Sequence, residues 1–207
     1  MSIYDVLIIG AGPAGIFTAI KSQLNNKKIC IIEKNDQAAN KLLISGSGQC
    51  NITHSGKIED FFNHYGKKNQ FIKPSLYHFK NTDLIHFFQK RNLNLIELEN
   101  GKIFPQTKKS KDILDILLKE CHQKNINIDY NNPVKKVERQ DNIYKVTSLT
   151  KVYYTKVLVI ATGGKSYPAT GSTGDGYLFG KQLNHFITNL TPGLTPLVLK
   201  GYQLSNY

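Results

Sequence analysis

Apolar and polar positions first fall into order over residues 5–33. Residues 6–9 form an unbroken run of branched apolar side chains, the pattern of a strand buried on both faces, and it stops at Gly10-Ala11-Gly12-Pro13-Ala14-Gly15. Beyond this cluster Ile16, Ala19, Ile20 and Leu24 recur at helical spacing until Asn25 and Asn26, and residues 28–32 predict a second buried strand closing at Glu33.

The later pattern is more mixed. Between residues 61 and 79, Phe62, Tyr65, Phe71, Tyr77 and Phe79 alternate with Lys67, Lys68 and Lys73, and Lys80 follows. Such a mixture can stack single-stranded bases, but aromatics near a helical period more often fill a core, and core is the favoured expectation. Asn81-Thr82-Asp83 caps a helix showing Leu84, Phe87, Phe88 and Arg91 on one face, residues 101–104 read as a short strand ended by Pro105, and Ser110 caps a helix with Ile113, Ile116, Leu117 and Cys121 on its buried stripe. Residues 126–130 predict a third parallel strand. A meander follows over residues 134–139, 143–148 and 152–156, and residues 157–160 form a buried strand ending at Ala161-Thr162-Gly163-Gly164. A second glycine group, residues 170–176, opens a helix through Tyr177, Leu178 and Leu183, and residues 197–199 suggest one more strand.

The first glycine cluster carries chemistry. Gly10 permits a tight turn, Gly12 lets backbone approach a pyrophosphate, and Gly15 lets the helix press on the sheet, while amides at the helix start point at phosphate oxygens. Glu33 closes the second strand at the distance expected of a carboxylate accepting from a ribose hydroxyl. Two glycine turns at strand ends of one sheet imply one extended ligand along its carboxyl edge. The small residues Ser45, Gly46, Ser47 and Gly48, beside Asn51 and Thr53, suit either a flat or phosphorylated ligand or an ordinary surface loop.

Composition narrows the classes. The 207 residues hold 27 Lys and Arg against 15 Asp and Glu, a formal charge of +12. The lysines are scattered among Asn and Ile, which reads as a solvated basic surface rather than a nucleic-acid-binding protein. Cys30, Cys50 and Cys121 lack CxxC spacing, against a disulfide framework or a zinc site. No apolar run is long enough to span a bilayer and no signal peptide precedes the first strand, so a cytoplasmic protein without a membrane partner is expected. No Ser/His/Asp order, HExxH or paired carboxylate nominates a protein nucleophile, and no catalytic residue is assigned. His54, Tyr167 and Asp175 are within the chemistry of proton transfer, although structural hydrogen bonding is the favoured role for each.

Four stretches carry a family resemblance: IIGAGPAG at residues 8–15, KLLISGSGQCNIT at 41–53, GKIFPQ at 101–106 and ATGGKSYPATGSTGDGY at 161–177. With these the sequence resembles the bacterial BaiN-type NAD(P)/FAD-dependent oxidoreductases, flavoproteins also labelled aminoacetone oxidase-like; the TGDG turn is similar to that of fumarate reductase and aspartate oxidase flavoproteins. The resemblance implies an α/β fold, a glutathione-reductase-like FAD-binding (Rossmann-type) parallel sheet with a β-meander, interrupted by an inserted substrate domain. Residues 1–190 would be the FAD domain and 191–207 the start of the insertion, the chain being truncated before that domain is complete.

It also implies FAD, with its adenosine end at Glu33, Lys34 and Val134 and its pyrophosphate at Gly10, Gly12, Pro13, Ala14 and Gly15. Lys41, Ser45, Gly46, Gly48, Cys50 and Asn51 would supply further contacts, and Ala161, Thr162, Gly163 and Gly164 would close on the same cofactor. Gln49 and Lys102 stand where the family has arginines, Asn40 where it has glycine and His54 where it has asparagine. The expected function is hydride transfer through the flavin to or from a small organic substrate, with NAD(P)H as electron donor. The alternative is a split or truncated flavoprotein without turnover, for which a second polypeptide would supply the missing half.

Overall fold

The computed structural model describes residues 3–24 and 26–191. Strand β1 (Ile3–Ile9) runs into helix α1 (Pro13–Ser22), which returns to β2 (Ile29–Ile32). Next come α2 (Asn40–Ile44), β3 (Thr53–His54), α3 (Ile58–Phe61), a kinked 3-10 turn (Phe62–Lys68), α4 (Asn69–His78) and α5 (Asn81–Gln89). Then follow β4 (Leu95–Glu97), β5 (Lys102–Pro105), α6 (Ser110–Gln123), β6 (Asn127–Asp129), the meander β7 (Val134–Gln140), β8 (Ile143–Ser148) and β9 (Val152–Ile160), and α7 (Asp175–Gln182).

The main sheet has the order β6-β2-β1-β9-β8-β7, and β3-β5-β4 form a small antiparallel sheet. In the main sheet β6, β2, β1 and β9 are mutually parallel, whereas β8 is antiparallel to both β7 and β9. Successive strand side chains point to opposite faces, so β1 and β2 divide their residues between two cores. Val6, Ile8, Ile29 and Ile31 pack with α1, α5 and α6, where Ile16, Phe88, Ile113 and Leu117 meet them. Leu7, Ile9, Cys30 and Ile32 face the other way, onto Val137, Val146 and Tyr153 of the meander and Phe179 of α7. Each such fully buried aliphatic side chain contributes about 1.5–3 kcal/mol, so the central strands are the most strongly fixed part of the chain. Among the described residues no helix is long and apolar enough to cross a membrane.

The structure corrects several expectations. Helix α1 ends at Ser22, leaving Leu24 63% exposed, because the chain turns before another helical repeat can return it to the core. Residues 152–160 are one strand, not two: β9 pairs with β8 on one side and with β1 along the other. Its second half is not fully buried, and Val157 is 50% exposed. Ser110 begins α6 without capping it, since its hydroxyl donates to the Leu43 carbonyl at 2.9 Å. On α7, Phe179, a residue the sequence reading did not name, reaches the core, while Leu178 is exposed.

The largest correction concerns residues 61–79. They are not core: none of the ten residues of α4 is buried, and Phe71 is 87% exposed. Helix α4 leans chiefly on the 3-10 turn before it rather than on the sheet, so its aromatics have no apolar layer to enter. Phe79, just past its end, does reach α1 and packs at a tilt against Phe17, with ring centres 5.2 Å apart. Expectations for residues 192–207, including the strand at 197–199, lie outside the described residues.

Candidate dinucleotide site at the carboxyl edge of the sheet

The site is built where β1 and β9 end side by side. The Ala161 amide donates to the Ile9 carbonyl at 2.8 Å and the Gly10 amide to the Ile32 carbonyl at 2.8 Å, which joins the tips of three parallel strands. Gly10 has φ +108°, and a Cβ there would stand 2.5 Å from the Ala161 carbonyl oxygen. Gly15 is tighter still, its hypothetical Cβ only 2.0 Å from the Gly10 carbonyl oxygen. These two glycines therefore set the close approach of helix, turn and neighbouring strand. Gly12 differs, because a Cβ there would meet nothing within 4 Å.

That open side is the mouth of a cavity of about 290 Å³. The first α-helical bond of α1 runs from the Ile16 amide to the Gly12 carbonyl at 3.0 Å, so helix geometry leaves the amides of Ala14 and Gly15 without an intrahelical acceptor, at the end where the helix dipole is positive. Glu33 is buried at the tip of β2. Its Oε2 accepts from the Ala11 amide at 2.8 Å and its Oε1 from the Asn35 amide at 2.9 Å, leaving further lone pairs on each oxygen for a hydroxyl donor.

Of the residues expected from sequence, Gly10, Gly12, Pro13, Ala14, Glu33, Lys34, Lys41, Val134, Ala161, Thr162 and Gly163 line this one cavity. Ser45, Cys50 and Asn51 line a second, largely apolar cavity of about 490 Å³, which shares Pro13 and Lys41 with the first. Gly15 lies beneath the first cavity as a packing residue. Gly46, with φ +56°, and Gly48, with φ +83°, shape the turn after α2 rather than either wall. Gly164 lies off both walls, with the Tyr177 hydroxyl 3.6 Å from where its Cβ would be.

Sequence reasoning missed the polar clamp on the far rim. Lys34 Nζ donates to Thr173 Oγ1 at 2.7 Å and to Asp175 Oδ2 at 2.8 Å, and Thr173 Oγ1 donates to Asp175 Oδ1 at 2.8 Å. Burial pushes the Asp175 carboxyl up, but the Lys34 and Thr173 contacts outweigh it and hold it below its ordinary value of 3.8. Asn132 was also missed. It is 1% exposed, donates to the Tyr153 hydroxyl at 2.6 Å and accepts from the Thr150 hydroxyl at 3.0 Å, and so fixes the wall just ahead of Val134. Asn132 carries no local motif, and the TGDG turn that holds Asp175 gives no local sign of its pairing with Lys34.

Of the three residues weighed for proton transfer, two are otherwise engaged. Asp175 is ion-paired, and both His54 ring nitrogens face carbonyl oxygens, those of Ser55 at 2.8 Å and Asn100 at 2.7 Å. Tyr167 is exposed, with Lys41 Nζ 5.9 Å from its ring centre. Among the described residues no cluster of His, Cys, Asp and Glu could hold a metal ion.

An open backbone cradle, unpaired helix amides and a buried carboxylate with spare lone pairs fit a dinucleotide such as FAD. Comparison with known proteins agrees. Residues 4–196 match the HI0933-like protein Rossmann domain. The chain is 33% identical over 181 residues to a ribosomal RNA dihydrouridine synthase of Haemophilus influenzae, covering 85% of this chain and 44% of the relative. It is 24% identical over 200 residues to a 3-dehydro-bile acid delta(4,6)-reductase of Clostridium scindens, covering 96% of this chain and 48% of the relative. The chain thus spans about half the length of the curated relatives it matches. Among solved structures, the open conformation of a flavocytochrome c3 fumarate reductase shares the fold, with TM-score 0.65, 19% identity, and coverage of 88% of this chain and 40% of the other. With the cradle and the matched span in agreement, this chain belongs to the HI0933-like Rossmann-domain family of FAD-binding oxidoreductases.

Proposed function

We propose that this chain is the FAD-binding part of a reductase that saturates a carbon–carbon double bond conjugated to a carbonyl, drawing its electrons from NADH or NADPH. The observation that carries the reading is the single cavity uniting the tips of β1, β2 and β9. When bound, the flavin supplies the hydride chemistry. The chain's own residues bind and orient. The amides of Ala14 and Gly15 would take the pyrophosphate over the open face of Gly12, Glu33 would accept from the ribose, Val134 would hold the adenosine end, and Thr162 and Gly163 would close from β9. Ser45, Cys50 and Asn51, which line the second cavity, would supply further contacts to the cofactor. Cys50 serves there as a neutral wall, since burial pushes its thiol up.

The names of two relatives support the reaction class. Forming dihydrouridine from uridine adds two hydrogens across a ring double bond conjugated to a carbonyl, and a delta(4,6)-reductase acting on a 3-keto compound does the equivalent. Two substrate classes follow. A small enone agrees with the expectation from sequence. A uracil base within RNA is favoured by the 33% identity to the ribosomal RNA enzyme.

The test is a spectrum followed by two turnovers. The purified protein should be yellow, or become so with added FAD, and should bleach anaerobically with NADH or NADPH. Reoxidation by uridine-containing RNA, with dihydrouridine in the product, selects the RNA reading; reoxidation by a small cyclic enone selects the other. A protein that takes up no FAD ends the proposal.

A further inference from the structure

The exposed segment that contradicted the core expectation is the feature the dinucleotide site leaves unexplained. Residues 57–80 hold five lysines against Glu59 and Asp60, a formal excess of +3, and α4 itself contains no acidic residue. Tyr65 and Tyr77 are exposed as well as Phe71. Phe62 and Tyr77 meet edge to face at 5.2 Å, and Lys73 Nζ stands 5.1 Å from the centre of the Phe62 ring, so an edge-to-face aromatic pair carries a cation over one of its rings. No ion pair engages Lys57, Lys68, Lys73 or Lys80 among the described residues.

Burying these rings against another protein would strip water from several lysines unless the partner brought matching carboxylates. RNA brings both complements: phosphates for the lysines and unstacked bases for the rings. We infer that residues 57–80 form a platform for an unpaired stretch of RNA, with Phe71 and the Phe62–Tyr77 pair as stacking surfaces and Lys68 and Lys73 as phosphate contacts. The inference rests on the RNA reading of the substrate only for the choice of RNA over single-stranded DNA. The exposure and charge stand without it.

The experiment uses the full FAD-loaded chain and a fluorescein-labelled uridine-rich single-stranded RNA, read by anisotropy across a salt series. Phe71→Ala should weaken binding about tenfold, within the range for losing one stacked base. The pair Lys68→Glu and Lys73→Glu should weaken it further and reduce the salt slope by about 1.4, at about 0.7 for each lost phosphate contact. FAD content and NAD(P)H-driven bleaching should be unchanged in both, which separates loss of binding from loss of fold. Because the sequence contains no tryptophan, Phe71→Trp adds a single emitter. Its emission should be that of a solvated indole, quenched by RNA and not by polyglutamate.

Variants that bind RNA like the parent, or an indole already shielded in free protein by another part of the chain or a second copy, would overturn the platform. Dihydrouridine formation that survives both variants would sink the platform and keep the RNA reading. RNA binding lost in the variants, with no uracil reduced by the parent, would keep the platform and sink that reading.

Discussion

Glu33 at the tip of β2 accepts the Ala11 amide at 2.8 Å, so the carboxylate expected to hold a ribose also holds the glycine turn beside it. Its other oxygen accepts the Asn35 amide at 2.9 Å. Glu33→Gln turns one of these acceptors into an NH2 group facing an N–H. Leaving that buried contact unmade should destabilise the apoprotein by about 1–3 kcal/mol, and Tm should fall by several degrees, at about 2–4 °C per kcal/mol for a domain of this size. Calorimetry of the apoprotein, with FAD titration alongside, checks both roles. An unchanged Tm would show that the carboxylate does not organise the turn.

Gly12 and Gly15 separate ligand approach from packing. At Gly12 the backbone is extended, φ −74° and ψ 172°, and an added Cβ meets open space. Gly12→Ala should therefore leave Tm unchanged or raise it slightly, by about 0.4–1 kcal/mol of stability, while FAD affinity falls because the methyl group occupies the approach to the pyrophosphate. Gly15→Ala forces a methyl into the Gly10 carbonyl and should lower Tm and flavin content together, by about 1–3 kcal/mol for overpacking. Thermal melts with and without FAD distinguish the two patterns.

Acid should act partly through the pair behind α5. Arg91 donates to Glu120 Oε2 at 2.6 Å, and that hydrogen bond holds the carboxyl below its ordinary value of 4.5. A carboxyl depressed in the fold contributes stability that is fully present above its unfolded value and is lost as pH falls through the folded one. Tm should therefore decline below pH 4.5 more steeply in the parent than in Glu120→Gln, whose curve should be flatter there and lower at neutral pH. Parallel melts from pH 3 to 7 test this.

The three cysteines should be silent in the native protein. All are buried, and burial pushes the Cys30 and Cys121 thiols up to about 11 and raises Cys50 as well. Since thiolate is the reactive form, a chromogenic disulfide reagent at pH 8 should label essentially none of them until guanidinium unfolds the chain, when all three react. Fast labelling of Cys50 in the native state would show that the second cavity opens to solvent.

These properties were unequally readable from sequence. The strand, glycine turn, helix and acid of residues 6–33 announce themselves because each step obeys a local rule: branched run, steric freedom, helical period, spacing. The meander was found for the same reason, by alternation. The adjacency of β1 and β9 depends on sheet order, so Asn132 could not be linked to the site from its neighbours in the chain, and the glycine turn around Asp175 pointed to a ligand but not to the Lys34 partner. Residues 61–79 failed differently. A helical spacing of aromatics looks the same whether a sheet lies beneath it or water does, and only the placement of α4 away from both cores decides between them.

Sheet order also has a consequence during synthesis. Ile8 pairs with Val159, so one side of the central strand waits for a partner about 150 residues downstream. At 5–20 residues per second, the roughly 130 residues between β2 and the end of β9 take about 6–25 s to emerge. Throughout that interval the nascent chain presents an apolar strand edge with nothing to zip it shut, which makes this stage of translation the one at which a holdase would be needed most.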